Sequence, residues 1–173
     1  MGKLTLIVGG ARSGKSSYAL GLVEKSSHVA LIATCAYSDS DLEMVKRIEL
    51  HKKKRPSHWK VFEESKNVAS LLKEIGSQFD VILVDCLTLF ISQMLVETIE
   101  EGVIENQAQE MIHAVKKIKG GVIVVSNEVG LGVVPEYPLG RQFRDLSGRI
   151  NQLMAREADE VFFMVSGLPL KVK

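Results

Sequence analysis

The stretch Gly9-Gly10-Ala11-Arg12-Ser13-Gly14-Lys15-Ser16 constrains this chain more than any other. It follows the apolar run Leu4–Val8 and precedes Ser16–Lys25, in which Tyr18, Leu22 and Val23 share one side of a helix. A strand, a glycine-rich turn and a helix in that order give G-x-x-x-x-G-K-[ST] its phosphate-binding meaning. Glycines let successive backbone N–H groups converge on an anion, and the helix N-terminus adds partial positive charge. Lys15 then reaches the β- and γ-phosphates, and the Ser16 hydroxyl can hold Mg²⁺. A functionless turn would account for the glycines, but not for Lys15-Ser16 after Gly14.

The rest of the chain repeats the strand–helix alternation. Val29–Ala33, Val81–Asp85, Val122–Ser126 and Val161–Val165 are near-continuous runs rich in β-branched residues, as in strands buried on both faces of a parallel sheet. Trp59–Glu63 is a candidate extra strand, and the alternation of Leu168–Val172 suits an antiparallel partner at the end. Helices are expected over Asp41–Lys54, Asn67–Gly76, Leu87–Lys117 with a break near Gly102, and Gly140–Glu157. This order predicts an α/β fold, a mostly parallel central sheet flanked by helices. At 173 residues, one domain spanning 1–173 is expected.

Charge and cysteine content narrow the function. The 22 basic and 21 acidic residues leave a net charge of +1, so no overall field recruits nucleic acid. No run approaches the ~20 apolar residues of a membrane span, and the N-terminal apolar stretch is too short for a signal peptide. Cys35 and Cys86 are too few for a disulfide framework and sit beside apolar runs as small core residues. A cytoplasmic protein is expected.

Two further features bear on chemistry. Asp85 ends an apolar strand, where a carboxylate can hold a nucleotide's metal directly or through water; a plain helix-capping Asp is the alternative. Glu43, Arg47 and His51 recur at intervals of four, so a helix puts them on one face. Lys52-Lys53-Lys54-Arg55 follows at once. Cations disfavour the imidazolium, leaving a nucleophilic ring, and they attract triphosphate. Spacing alone equally allows a solvated basic helix end. His28, His58 and His113 lack such company and read as surface residues, and no histidine or cysteine pair has zinc-ligand spacing.

These residues bring the chain to a family. It resembles the bifunctional cobinamide kinase / cobinamide-phosphate guanylyltransferases of adenosylcobalamin synthesis. The resemblance runs from Gly9–Ser16 through Ile32-Ala33-Thr34, Glu43-Met44, Arg47-Ile48, His51, Arg55-Pro56, Trp59 and Glu63. It resumes at Val84–Thr88, Ser126–Gly130, Pro135-Glu136, Arg141–Asp145, Gly148–Gln152 and Val165–Lys171. The P-loop alone is common to many families. The spaced set from Glu43 to Glu63, with Asn127-Glu128-Val129-Gly130, is far more specific.

The resemblance implies a RecA-like P-loop NTPase fold, a homotrimer, and two reactions. Adenosylcobinamide is phosphorylated with ATP or GTP; GMP then passes from GTP to the product through a guanylyl-histidine, which falls on His51. Nucleotide contacts would be Gly9, Gly10, Ala11, Arg12, Ser13, Gly14, Lys15, Ser16, Thr34, Cys35, Ala36, Lys52, Lys53, Lys54, Arg55, Glu63 and Asp85. Lys15 would share the catalysis with His51, and Ser16 and Asp85 would hold Mg²⁺. Glu63 is a candidate for guanine or ribose recognition, against the alternative of an ordinary exposed acid. Another small-molecule P-loop kinase and a RecA-like ATPase switch are the rival readings. For the latter, Arg141, Arg144 and Arg149 are arginines that could reach a neighbour's site.

Overall fold

The computed structural model describes residues 2–35, 45, 46, 49, 55–97 and 100–173. Seven strands form one sheet: β1 (Leu4–Gly9), β2 (Val29–Ala33), β3 (Lys60–Glu63), β4 (Val81–Asp85), β5 (Gly121–Val125), β6 (Glu160–Val165) and β7 (Leu168–Lys171). Their order is β3-β2-β4-β5-β1-β6-β7. All pairings are parallel except β6 with β7, so the mostly parallel α/β architecture is as expected. The described helices are α1 (Lys15–Val23), α2 (Val68–Ile75), α3 (Leu87–Val96), α4 (Glu101–Lys117) and α5 (Pro138–Glu157).

Alternation along the strands divides the core in two. Leu4, Leu6 and Val8 of β1 face a large cluster closed by α2, α3, α4 and α5. Ile7 faces the opposite side, where Ala19 and Val23 of α1, with Trp59, cover Leu31, Leu83, Ile123 and Val125. The central strands are therefore buried on both faces, which is why their sequences are apolar without a polar phase. Ion pairs tie the outer helices together: Lys73 to Glu110 at 2.7 Å between α2 and α4, and Arg149 to Glu105 at 2.7 Å between α5 and α4.

Several boundaries differ from the sequence reading. The long helical stretch does break near Gly102, between Val96 and Glu101, with Gly102 itself inside α4. Helix α5 starts at Pro138, not Gly140; proline is preorganised for the first helical turn, where its missing N–H has no partner to lose. In α1 the buried stripe is Lys15, Ala19 and Val23, while Leu22 is 44% exposed. The i, i+4 row set by the inward-pointing lysine decides that face. Cys86 is buried as expected, but Cys35 is only half-buried. His28, His58 and His113 are exposed. Most of the expected helix Asp41–Lys54 lies outside the described residues.

Candidate active site

The site grows from the carboxyl ends of β1, β4 and β5, neighbours at the sheet centre. After β1 the chain turns through Arg12 at φ 57° and Gly14 at φ 92°, with Ser13 between. Left-handed residues interleaved in this way turn backbone N–H groups toward a common point, the geometry of an anion nest. Gly14 precedes α1 and has no side chain with which to cap it, and no acid occupies the helix's first turn. The first turn of α1 thus directs its backbone N–H groups to the side where an anion would bind.

Close approach dictates the first glycine. A Cβ on Gly9 would stand 2.8 Å from both the Met164 carbonyl oxygen and Ser13 Oγ. The turn between β6 and β7 braces the loop from its far side, where Gly167 N donates to Ser13 O at 3.0 Å. This contact gives the Val165–Lys171 segment a structural reason for its place in the family pattern. Lys15 is buried, and its Nζ donates to Gly10 O at 2.5 Å and to Ser13 Oγ at 3.5 Å. A buried ammonium held on the loop's own oxygens is preorganised for phosphate oxygens of stronger charge. Ser16 sits half-buried one position further along α1.

Register places the acids. Glu63, Ala33, Asp85, Val125 and Ile7 stand in one row across five strands. Paired residues in a row share a face, and Ile7 and Val125 belong to the core under α1. Asp85 and Glu63 thus project to the face from which the P-loop helix packs. Arg55 joins them: burial pulls its guanidinium below the ordinary value, while the nearby charges of Asp85 and Glu63 pull the other way. Arg55 thus lies within the field of both Glu63, eight residues on, and Asp85, much further along the chain.

Thr34 fixes the end of β4. Its fully buried Oγ1 donates to Cys86 O at 2.6 Å and accepts from Cys86 N at 2.9 Å. Burial first, and then the Asp85 charge, push the Cys86 thiol up to about 12, so it stays neutral. A second polar chain fixes the end of β5. Asn127 N donates to Thr88 Oγ1 at 2.7 Å, and Thr88 Oγ1 lies 3.3 Å from Ser126 Oγ. Ser126 Oγ donates to Asn151 Oδ1 at 2.7 Å, and Asn151 Nδ2 returns to Asn127 O at 3.0 Å. Glu128 N then donates to Gly9 O at 2.9 Å, which ties this strand end to the P-loop.

The structure therefore gathers Gly9 to Ser16, Thr34, Arg55, Glu63 and Asp85 at one end of the sheet. Cys35 follows Thr34 there. Ala36, His51, Lys52, Lys53 and Lys54 lie outside the described residues. Thr88, Ser126 and Asn151 were not picked out as functional by chemistry; of the three, Thr88 stands as a polar residue inside an apolar run. Of the three late arginines, Arg149 is held within the chain by Glu105 and Glu101, which raise its pKa. Arg141 donates to Pro135 O and Glu136 O at 3.1 and 2.5 Å, and Arg144 pairs with Asp145.

Comparison with known proteins settles which P-loop fold this is. Residues 5–172 match the family described as cobinamide kinase / cobinamide phosphate guanyltransferase. The chain belongs to this family. A relative from Escherichia coli K12, "Bifunctional adenosylcobalamin biosynthesis protein CobU", is 37% identical, covering 98% of this chain and 99% of the relative. The protein of the same name from Salmonella typhimurium LT2 is also 37% identical, with the same coverage. "Bifunctional adenosylcobalamin biosynthesis protein CobP" of Pseudomonas aeruginosa PAO1 is 38% identical over 97% of this chain and 96% of its own length. Among the described residues, no helix is long and apolar enough to cross a membrane.

Proposed function

We propose that this chain carries out both family reactions at the single P-loop site: phosphorylation of adenosylcobinamide by ATP or GTP, then transfer of GMP from GTP through a guanylated His51. The observation that carries this reading is the convergence of the P-loop, Asp85, Glu63 and Arg55. Arg55 stands four positions after His51 in sequence, so the basic run that His51 begins ends inside the site.

In the kinase step the acceptor oxygen attacks the γ-phosphorus and the nucleoside diphosphate leaves. In the second reaction a neutral His51 nitrogen attacks the α-phosphorus and pyrophosphate leaves, giving a phosphoramidate. The phosphate oxygen of phosphorylated cobinamide then displaces the histidine. Both first steps place their leaving-group charge on the β-phosphate, where the loop N–H groups and Lys15 stand. Lys52, Lys53, Lys54 and Arg55 supply positive charge to the nucleotide in this reading, and Thr34, Cys35 and Ala36 are further nucleotide contacts. Glu63 offers a carboxylate to guanine N–H groups or ribose hydroxyls.

The donor set suits Mg²⁺. A serine hydroxyl and a carboxylate are hard oxygen ligands of the kind this ion takes alongside phosphate and water. Ser16 and Asp85 would hold it, and the ion would neutralise phosphate charge. A trimeric, cytoplasmic enzyme is part of the same reading.

The deciding experiment incubates wild-type protein and His51→Ala with GTP labelled at the α-phosphate. Wild type should form an acid-labile GMP adduct mapping to His51, while the variant should lack it and still phosphorylate cobinamide. A normal adduct in the variant would overturn the assignment.

A further inference from the structure

The P-loop fixes where the nucleotide sits but not where the acceptor docks. Beyond β5 the chain leaves the sheet at Glu128, whose N–H is bonded to the first P-loop residue. It then runs through Leu131, Val133, Val134 and Tyr137, which are 79%, 91%, 61% and 74% exposed. So many large apolar side chains together in water mark a binding surface. The segment is also held in shape: Gly130 N donates to Glu128 Oε1 at 2.7 Å, and Arg141 Nη1 clamps the carbonyls of Pro135 and Glu136. At its root the Thr88–Ser126–Asn151 chain sets the direction in which Asn127 and Glu128 leave β5.

We infer that residues 128–139 form the corrinoid site of the kinase reaction, with Leu131, Val133 and Val134 against the macrocycle and Glu128 at the acceptor hydroxyl. The ligand's chemistry fits the segment. Cobinamide presents a broad ring with methyl-bearing faces, matched by exposed aliphatic side chains, and an alcohol on a flexible arm. Glu128 stands beside the P-loop, three residues beyond the end of β5, the strand between β4 and β1. As the acceptor oxygen bonds to the γ-phosphorus, its proton passes to the Glu128 carboxylate. The bond from the γ-phosphorus to the β–γ bridging oxygen breaks, and the nucleoside diphosphate leaves with that electron pair.

The inference rests on the P-loop reading of the nucleotide site, so the two are tested separately. Binding of a non-hydrolysable ATP analogue to wild type and Lys15→Ala reports on the P-loop alone. For the acceptor site, Glu128→Gln should lower kcat of cobinamide phosphorylation by about a hundredfold, the usual scale of general-base loss. It should leave the GMP adduct formed from GTP unchanged. The double variant Leu131→Ser/Val133→Ser alters only exposed side chains. It should raise KM for cobinamide about tenfold or more without changing analogue affinity. An unchanged kcat in Glu128→Gln, or equal loss of the GMP adduct, overturns the role of Glu128. An unchanged KM for cobinamide in the double variant overturns the docking surface. If sedimentation shows altered assembly alongside that unchanged KM, the loop is instead a contact between copies of this chain.

Discussion

Replacing Thr34 by valine keeps the side-chain shape and removes a single oxygen, which isolates what holds the end of β4. In the wild type that oxygen serves both polar groups of Cys86: it accepts from N at 2.9 Å and donates to O at 2.6 Å. The carbonyl keeps other donors, since Leu89 N and Phe90 N approach it at 3.2 and 3.3 Å. The Cys86 N–H loses its Thr34 acceptor in a setting where Thr34 is fully buried. An orphaned buried donor costs about 1–3 kcal/mol, and the lost bond to the carbonyl adds a smaller amount. A total of about 2–3 kcal/mol follows, or a fall in Tm of roughly 4–12 °C for a chain of this size. Urea titration should show the midpoint falling at constant m, because the surface exposed on unfolding is unchanged. Thr34→Ser separates hydroxyl from methyl: it should lose only about 1 kcal/mol, the cost of one buried methyl. Because Asp85 is the residue before Cys86, nucleotide affinity should fall in the valine variant and hold in the serine variant. A valine variant within about 0.5 kcal/mol of wild type, the scale of a neutral surface change, would refute this reasoning. So would a serine variant as unstable as the valine one.

Other expectations follow from the same geometry. Lys15→Ala removes a donor aimed at developing phosphate charge and should slow both reactions by about 10²–10³-fold, measured as kinase turnover and as the rate of GMP-adduct formation. Gly14→Ala forces a side chain to φ 92° and sets its Cβ 3.2 Å from Gly167 Cα. It should cost at least about 1–2 kcal/mol and abolish binding of an ATP analogue by calorimetry. At pH 8 a thiol reagent should label Cys35 in the native protein and Cys86 only after denaturation. The Cys86 thiol titrates in the fold at about 12 against an ordinary 9.0. Burial of the neutral thiol therefore contributes fully below pH 9 and is lost as pH rises toward 12. The stability advantage of wild type over Cys86→Ala should accordingly shrink across that window in alkaline denaturation curves.

The parts of this molecule that were legible in the sequence are those whose physics is local. Runs such as Val81–Asp85 and Val122–Ser126 announce strands because burial on both faces removes every polar phase. The P-loop declares itself because its conformation depends on glycines at fixed spacing. The polar anchors at the strand ends were not legible. Thr34, Thr88, Ser126 and Asn151 act across separations of 24 to 52 residues, and no local pattern pairs them. Arg55 illustrates the same limit: the sequence placed it in a basic run, while the fold sets it against Asp85 and Glu63. The start of α5 was missed by two residues because Pro138, and not the apolar periodicity, marks that helix end.

Under the proposed one-site reading, strand order explains how one loop serves two reactions. With the β-phosphate on the loop, the choice between kinase and guanylyl transfer lies with the nucleophile, because both leaving groups carry that phosphate. In the order β3-β2-β4-β5-β1, the ends of β3 and β2 bring Glu63 and Thr34 to one flank of Asp85, and Arg55 joins them there. The end of β5 brings Glu128 to the other flank, beside the P-loop. Under the proposed assignments, the Arg55 side and the acceptor side flank one carboxylate. The net charge of +1 leaves room for local concentrations of charge: Lys15 is buried within the P-loop, while the segment after Glu128 exposes apolar side chains. Neutralising Arg55 should therefore weaken formation of the GMP adduct more than it weakens cobinamide phosphorylation, and Arg55→Met assayed for both would show it. Equal losses in the two reactions would mean that the flanks are not separate.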